Sequence, residues 1–159
     1  MINMDNKMRR YFKEYRVSNV LEMIRNNSKS PQICVDNCKG KLVVITGATA
    51  GIGYAAAIKF ASKGANLICI NRNKEKSEGL KNEIEIGYNV NCDYILADLS
   101  SMEDTYQVAQ KLLKMEIPID ILVHNAGIYL TKREITSAGV EKVFMVNYLS
   151  SFIINYILK

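Results

Sequence analysis

The sequence is poor in the residues that bind metal ions. Its 159 residues include four cysteines and a single histidine, His124. Cys34 and Cys38 lie close together, but no second Cys or His pair is present to complete a zinc site. Cys69 and Cys92 fall in or near predicted strands, where a free cysteine behaves as a small apolar residue. We therefore predict no metal site, and a reducing compartment, the cytoplasm, for the protein.

Long apolar runs and clustered basic residues are also missing. No apolar stretch approaches the ~20 residues that a membrane-spanning helix needs, and the N-terminus has no apolar signal region. The net charge is +5, but eight of the 21 Lys and Arg and four of the 16 Asp and Glu lie in residues 1–39, which leaves 13 against 12. Residues 40–159 are therefore nearly neutral, which argues against a nucleic-acid-binding face.

Apolar residues make up 48% of the chain, which is enough for a core. Their pattern alternates between short continuous runs and helical spacing, which predicts an α/β fold with a doubly wound, Rossmann-like parallel sheet of about four strands. Strands are expected at 42–45, 65–70, 92–97 and 119–123. Helices are expected from Gly53 to Gly64, over 74–86 and 102–115, and from Ser137 or Gly139 to Leu158.

Residues 1–39 are expected to form an extension to this domain. Apolar residues between positions 4 and 25 follow a roughly helical spacing among basic residues, which predicts one basic amphipathic helix. Such a helix packs on its own domain, or contacts a partner or an acidic membrane surface. Residues 26–39 are expected to be a linker, and residues 40–159 the folded domain.

A glycine-rich stretch follows the first strand and opens the first helix of the domain. It reads Thr46-Gly47-Ala48-Thr49-Ala50-Gly51-Ile52-Gly53. Glycine permits a positive φ and lets backbone amides approach a ligand, and the amides at a helix start face an anion. Diphosphate is the anion that this geometry suits. The alternative is that the glycines serve tight packing only.

The residues after the second strand bear on the identity of the cofactor. In dinucleotide-binding folds an acidic residue ~20 positions beyond the glycines binds the adenosine ribose, whereas a basic residue there accommodates a 2′-phosphate. Here the sequence is Asn71-Arg72-Asn73-Lys74, without an acid. Arg72 can pair with phosphate through two parallel hydrogen bonds, so we predict NADP, with NAD less favoured. The alternative is a solvated arginine.

The glycine stretch resembles the cofactor-binding motif of the short-chain dehydrogenase/reductase family. Further elements are similar to that family in order and spacing: Ala97-Asp98-Leu99-Ser100, Asn125-Ala126-Gly127 and Asn147. The resemblance covers residues 40–159, and within the family the chain looks most like the retinol-dehydrogenase-like reductases. It implies an NAD(P)-binding domain whose strands lie in the order third, second, first, fourth.

The resemblance also implies roles for individual residues. Asp98 would meet the adenine amino group, its alternative being an N-cap of the next helix. Asn147 would match the Asn of the family's catalytic tetrad, which bends its helix and holds a water in the proton relay. His124 is expected to be a packed or capping residue and not a base. The implied cofactor-binding residues are Thr46, Gly47, Thr49, Gly51, Ile52, Gly53, Arg72, Asp98, Leu99, Asn125, Ala126 and Gly127.

The family's reaction is hydride transfer between NADPH and a carbonyl or alcohol, with a Tyr as acid/base whose pKa a nearby Lys lowers. None of the nine tyrosines is followed by Lys at the fourth position, and the family's fifth strand with its Ser is not found. We therefore expect the cofactor half of such an enzyme, truncated before its catalytic half. The alternatives are an inactive NADP-binding or interaction module, and a product without function.

Absence of a fifth strand would leave the outer edge of the fourth strand unpaired, which invites pairing with another chain. The last helix is expected to add an exposed apolar patch with Phe144, Phe152, Ile153 and Tyr156. We therefore predict self-association, unless residues 4–25 fold back over this surface.

Overall fold

The structure is a computed structural model that describes residues 17–27, 29–30 and 36–159. The chain divides into two compact units, Met1–Val35 and Asp36–Lys159. In the first unit the described residues include helix α1 (Val17–Asn27). The helix that we predicted to end at residue 25 therefore ends two residues later, and residues 4–16 lie outside the described part. Among the described residues, no helix has the length and apolar composition that a membrane crossing requires.

The second unit alternates strands and helices. Its strands are β1 (Leu42–Thr46), β2 (Asn66–Asn71), β3 (Cys92–Leu96) and β4 (Ile121–Val123). The helices that follow the first three strands are α2 (Gly51–Ser62), α3 (Lys74–Tyr88) and α4 (Met102–Lys114). After β4 comes a last helical segment that consists of α5 (Lys142–Phe144), a π-helical turn (Met145–Leu149) and α6 (Ser150–Leu158).

The four strands form one parallel sheet in the order β3-β2-β1-β4. This confirms the predicted fold class and strand order. Strand β1 is central, and its residue Val44 pairs with Ile68 of β2 on one side and with Leu122 of β4 on the other. After β3 the chain crosses back over the sheet to β4, which lies on the other side of β1. The strand order therefore reverses between β1 and β4, and sheets of this kind bind their ligands at such a point.

Side chains of β1 alternate between two apolar layers, because successive residues of a strand point to opposite faces. Val43 and Ile45 pack with residues of α2 and α3, and this layer also holds the buried Cys69 and Cys92, as predicted. Val44 belongs to the layer with α4 and α6. A slip of one residue would exchange the two sets, so this alternation fixes which residues lie at the strand ends.

The last helical segment begins later than predicted. We predicted a start at Ser137 or Gly139, but the first helical residue is Lys142. Gly139 has φ +74°, in the left-handed region that a helix does not use. Glu141 is the N-cap instead, and its carboxylate accepts from the backbone N–H groups two and three positions further on, at 3.0 and 2.7 Å.

The exposed patch that we predicted on this segment is partly wrong. Ile153 is buried, because the residue after Phe152 lies about 100° round the helix from it and faces inward. The exposed side is instead a row of four aromatic rings that stack in pairs, with centroids 5.2 Å and 6.1 Å apart. We call this the aromatic row: Phe144 with Tyr148, and Phe152 with Tyr156.

Candidate functional site

A cavity of about 450 Å³ opens at the carboxyl ends of the strands. Parallel strands all end at one edge of the sheet, so residues distant in sequence meet there. The volume is that of a small-molecule site. Of the predicted site residues, the following line the cavity: Gly47, Thr49 and Ile52 after β1, Arg72 after β2, Asp98 and Leu99 after β3, and Asn125, Ala126 and Gly127 after β4.

The loop between β1 and α2 requires glycine for two different reasons. Gly47 and Gly51 have φ of +71° and +57°, which L side chains rarely adopt. Gly53 is needed for space, because a Cβ there would collide with Gly47 O and Asn125 Nδ2. Nothing lies within 4 Å of a Cβ built on Gly51. Tight packing therefore explains Gly53, but it does not explain Gly51.

The start of α2 lacks a side-chain cap. Its N-cap residue is Ala50, which has no polar group to accept a hydrogen bond from the first turn, and that turn contains no acidic residue. Ala50 and Ile52 both line the cavity. The first N–H groups of a helix have no partner within the helix. The amides that begin α2 therefore lie beside the cavity without a side-chain acceptor.

Thr46 and Asn125 join the ends of β1 and β4. The Oγ1 of Thr46 accepts hydrogen bonds from the backbone N–H groups of Asn125 and Ala126, both at 3.0 Å. The side chain of Asn125 donates from Nδ2 to the carbonyl oxygens of Thr46 at 3.1 Å and Gly47 at 3.0 Å. These four bonds fix the glycine loop relative to the Asn125-Ala126-Gly127 element.

Asn71 lies at the end of β2 and lines the cavity, although we did not predict it as a site residue. Its Oδ1 accepts from the Ala48 N–H at 2.8 Å. Its Nδ2 is buried and has no hydrogen-bond partner among the described residues. A buried donor left unpaired costs roughly 1–3 kcal/mol. The bond to Ala48 joins residues 23 positions apart, so no local sequence signal reveals this unpaired donor.

Asp98 carries a negative charge at the cavity wall. Partial burial raises the pKa of the Asp98 carboxyl. Hydrogen bonds from Ser100 and the positive charges of Arg72 and Lys142 lower this pKa by a larger amount, so the net shift is downward. The Ser100 N–H lies 2.9 Å from Asp98 Oδ1. The N-cap of α4 is Ser101. Our alternative interpretation of Asp98 as that cap is therefore wrong.

Lys142 is a second residue that we missed. It lines the cavity, and its Nζ lies 3.0 Å from the Glu134 carboxylate. It stands at the start of α5, where an apolar periodicity gives no sign of a ligand-binding role. Lys142 and Arg72 both line the cavity, and the positive charge of each lowers the pKa of Asp98.

Asn147 lies in the π-helical turn of the last helical segment. Its Oδ1 accepts from the Ile128 N–H at 2.8 Å, and its Nδ2 donates to the Ile128 carbonyl at 3.0 Å. The side chain thus holds the backbone that follows Gly127 at the cavity. His124 lies elsewhere: its Nε2 is 3.1 Å from Asn155 Oδ1 of α6, and it does not line the cavity.

The family model of the short chain dehydrogenases matches residues 41–157. The chain therefore belongs to the short-chain dehydrogenase family, as predicted. Retinol dehydrogenase 13 of Homo sapiens is 34% identical over 122 residues, which are 75% of this chain and 36% of that protein. An uncharacterized oxidoreductase of Schizosaccharomyces pombe is 33% identical over 126 residues, which are 78% of this chain and 37% of the relative. The chain thus spans little more than a third of these curated relatives.

A solved structure of the same family carries a bound cofactor. It is described as a short-chain dehydrogenase from Sphingobium yanoikuyae in complex with NADPH. The two folds agree with a TM-score of 0.66 at 28% sequence identity, over 74% of this chain and 46% of that chain.

Proposed function

We propose that residues 40–159 form a domain that binds a nicotinamide dinucleotide, with NADP preferred over NAD. The observation that carries this proposal is the uncapped start of α2 beside the cavity. Backbone amides there, aided by the helix dipole, suit the diphosphate of such a cofactor. The NADPH-bound relative supports the class of cofactor.

The remaining residues have roles that follow from their contacts. Thr46 and Asn125 keep the glycine loop in the conformation that exposes the amides. Asp98 and Leu99 line the cavity after β3 and would hold the adenine, with the Asp98 carboxylate as acceptor for its amino group. Arg72 also lines the cavity and would pair with a 2′-phosphate.

The bound cofactor would donate a hydride to a small carbonyl substrate in its reduced form, or accept one from the corresponding alcohol in its oxidised form. We propose that these 159 residues alone bind the cofactor without turnover. General acid catalysis contributes about 10²- to 10⁴-fold to such reactions, and no Tyr-x-x-x-Lys occurs in the sequence. Asn147 would hold the Ile128 backbone at the cavity, but the acid would have to come from outside these residues.

Cofactor preference tests this proposal. NADPH and NADH are titrated by fluorescence into the wild type, Arg72→Ala and Arg133→Ala. Arg133 is an exposed arginine that does not line the cavity, so it controls for loss of charge alone. We expect NADPH to bind more tightly than NADH, and Arg72→Ala to weaken NADPH binding about tenfold or more, as for a charge-assisted hydrogen bond of about 1.5–3 kcal/mol. NADH binding equal to NADPH binding would refute the preference, and an unchanged preference in Arg72→Ala would refute the role of Arg72.

Turnover is tested separately. We expect no NADPH oxidation when the pure protein is mixed with a panel of ketones and aldehydes. Steady oxidation that Gly51→Asp abolishes would show that the chain supplies its own acid.

We also propose that the protein associates with itself through the aromatic row, or through the outer edge of β4, which has no neighbour among the described strands. Sedimentation velocity over a range of concentrations compares the wild type with Phe152→Ser, and with Tyr106→Ser as a control on the exposed side of α4. Association that only Phe152→Ser weakens supports the row. A monomer at all concentrations in the wild type contradicts both surfaces.

A reducing compartment such as the cytoplasm is our proposed location. Cys38, Cys69 and Cys92 are free and buried, which supports it. Contact of residues 4–25 with a membrane surface stays a prediction, because most of that segment lies outside the described residues.

A further inference from the structure

Helix α1 presents apolar side chains along one side. Leu21 and Ile24 are three residues apart, so they lie on the same side of the helix. They are 62% and 57% exposed. Asn26, which is also exposed, lies about 140° to 160° round the helix from them. The helix is therefore amphipathic, and more than half of the surface of these two apolar residues is in contact with solvent.

The charge around α1 is positive. Residues 7–29 contain seven Lys and Arg against two Asp and Glu, a net charge of +5 that equals the net charge of the whole chain. Arg25 and Lys29, at and just beyond the end of α1, are both exposed. Such a charge is complementary to an anionic surface, and an apolar helix side needs a surface that accepts apolar groups. An anionic lipid bilayer offers both.

The residue types that precede α1 favour a membrane over an acidic protein as the partner. The sequence places Tyr11, Phe12 and Tyr15 among the basic residues before the helix. Tyrosine is enriched where proteins meet the interface between membrane and water, because its ring is apolar and its hydroxyl is polar. Helices that lie in this interface combine such bulky apolar residues with Lys and Arg.

We propose that α1 and the basic residues around it form a docking surface for anionic phospholipid bilayers. The helix lies in the plane of the interface, with Leu21 and Ile24 at the acyl chains and the charges of Arg25 and Lys29 at the lipid phosphates. Its length of 11 residues is about half of what a crossing requires, so α1 rests on the surface. This inference is independent of cofactor binding.

Sedimentation of the full chain with vesicles tests the proposal. Vesicles of phosphatidylcholine alone are compared with vesicles that also contain about 30% phosphatidylserine, and we expect the anionic vesicles to bind the protein about tenfold more tightly. A rise from about 0.1 M to about 0.5 M NaCl should remove most of this difference, because salt screens the lipid charges. Equal binding to both kinds of vesicle, or binding to neither, would overturn the proposal.

Substitutions separate the apolar contribution from the charged one. The double variant Leu21→Ser with Ile24→Ser should bind anionic vesicles about tenfold less tightly, and Arg25→Gln about fivefold less tightly. The matched controls lie on α3: Ile86→Ser, at a residue that is 87% exposed, and Lys76→Gln, at another exposed residue. Both controls should bind as the wild type does. Unchanged binding of the double variant would overturn the role of α1.

A fluorescent reporter shows which side of α1 meets the bilayer. The sequence contains no tryptophan, so a single introduced tryptophan reports on its own position alone. We expect anionic vesicles to shift the emission of Leu21→Trp to shorter wavelengths and to leave that of Asn26→Trp unchanged, because Asn26 lies on the other side of the helix. Equal shifts in the two variants, or no shift in either, would contradict the proposed orientation.

Other partners of a basic amphipathic helix would give other results. Binding to poly-L-glutamate without binding to vesicles would identify an acidic polypeptide as the partner. Self-association that the double variant Leu21→Ser with Ile24→Ser abolishes, again without binding to vesicles, would identify a second copy of the chain. Either result would overturn the docking of α1 on lipid.

Discussion

Helices α2 and α4 begin at the same edge of the sheet, but their first turns differ. The start of α4 is capped by Ser101, whose Oγ accepts from the Asp104 N–H at 3.1 Å, and its first turn carries two acidic residues. The start of α2 has Ala50, glycines and no acid. A capped, acidic start satisfies its own amides and dipole. Among the described helices α2, α3, α4 and α5, only α2, which starts where the glycine loop borders the cavity, lacks a side-chain cap and its stabilisation of roughly 0.5–2 kcal/mol.

The largest expected effect comes from Gly53→Ala. The new Cβ would meet Gly47 O and Asn125 Nδ2, so the loop must move. We expect the free energy of unfolding to fall by about 1–3 kcal/mol, the usual cost of overpacking, and NADPH binding to be lost. Gly79→Ala in α3 is the control: its Cβ meets nothing within 4 Å, and alanine gains up to about 1 kcal/mol over glycine in a helix. Urea denaturation measures both, and equal stability of the two variants would contradict the account.

Giving α2 the kind of start that α4 has should oppose binding. Ala50→Asp supplies a capping carboxylate and a negative charge where the diphosphate would lie. We expect stability without cofactor to rise by about 1 kcal/mol and the affinity for NADPH to fall at least tenfold. Ala55→Asp adds the same charge on the exposed side of α2 and should change the affinity less than threefold. Fluorescence titration measures the NADPH affinity of both variants, and denaturation measures their stability. If Ala50→Asp bound NADPH as tightly as the wild type, that result would contradict the comparison.

Removing the cap of α4 should change stability alone. In Ser101→Ala the Asp104 N–H loses its acceptor, and we expect the free energy of unfolding to fall by about 1 kcal/mol. Ser101 does not line the cavity, so NADPH affinity should stay within twofold. A thermal melt with and without NADPH measures both quantities. A large loss of affinity would mean that the α4 start belongs to the binding site.

The smallest effect concerns the pH dependence of stability. The pKa of Asp98 is lowered from its ordinary value of 3.8 in the folded protein, so folding favours the charged form. That contribution is present above about pH 4 and is lost as the pH falls through the lower folded value. Asp98→Asn should therefore flatten the fall in stability below pH 4 slightly. Parallel curves of unfolding free energy against pH for the two proteins would contradict the shift.

The sheet could be predicted from the sequence because its signals are local. The short, β-branched apolar run that begins at Leu42 is typical of a strand buried on both faces, and the glycines that follow it are typical of a turn. The start of the last helical segment could not be predicted in this way. The apolar spacing continues upstream of Lys142, whereas the true start is set by the turn at Gly139 and by the Lys142 N–H, which donates to the Glu134 carbonyl at 2.9 Å.

In the candidate site, too, some residues could be predicted from local sequence signals and others could not. Residues of the glycine loop could be predicted, since their backbone conformation depends on the absence of a side chain. Asn71 and Lys142 could not, because their relation to the cavity depends on the fold: one has an amide oriented by Ala48, and the other has an ammonium group held by Glu134.

The most direct test of the account follows the backbone amides of both helix starts during one NADPH titration by NMR. At saturation we predict the largest shifts at Gly51, Ile52 and Gly53 of α2, and small shifts at Glu103 and Asp104 of α4. Absence of binding, or binding that leaves the three α2 amides unmoved, would contradict the claim that the uncapped start of α2 holds the cofactor.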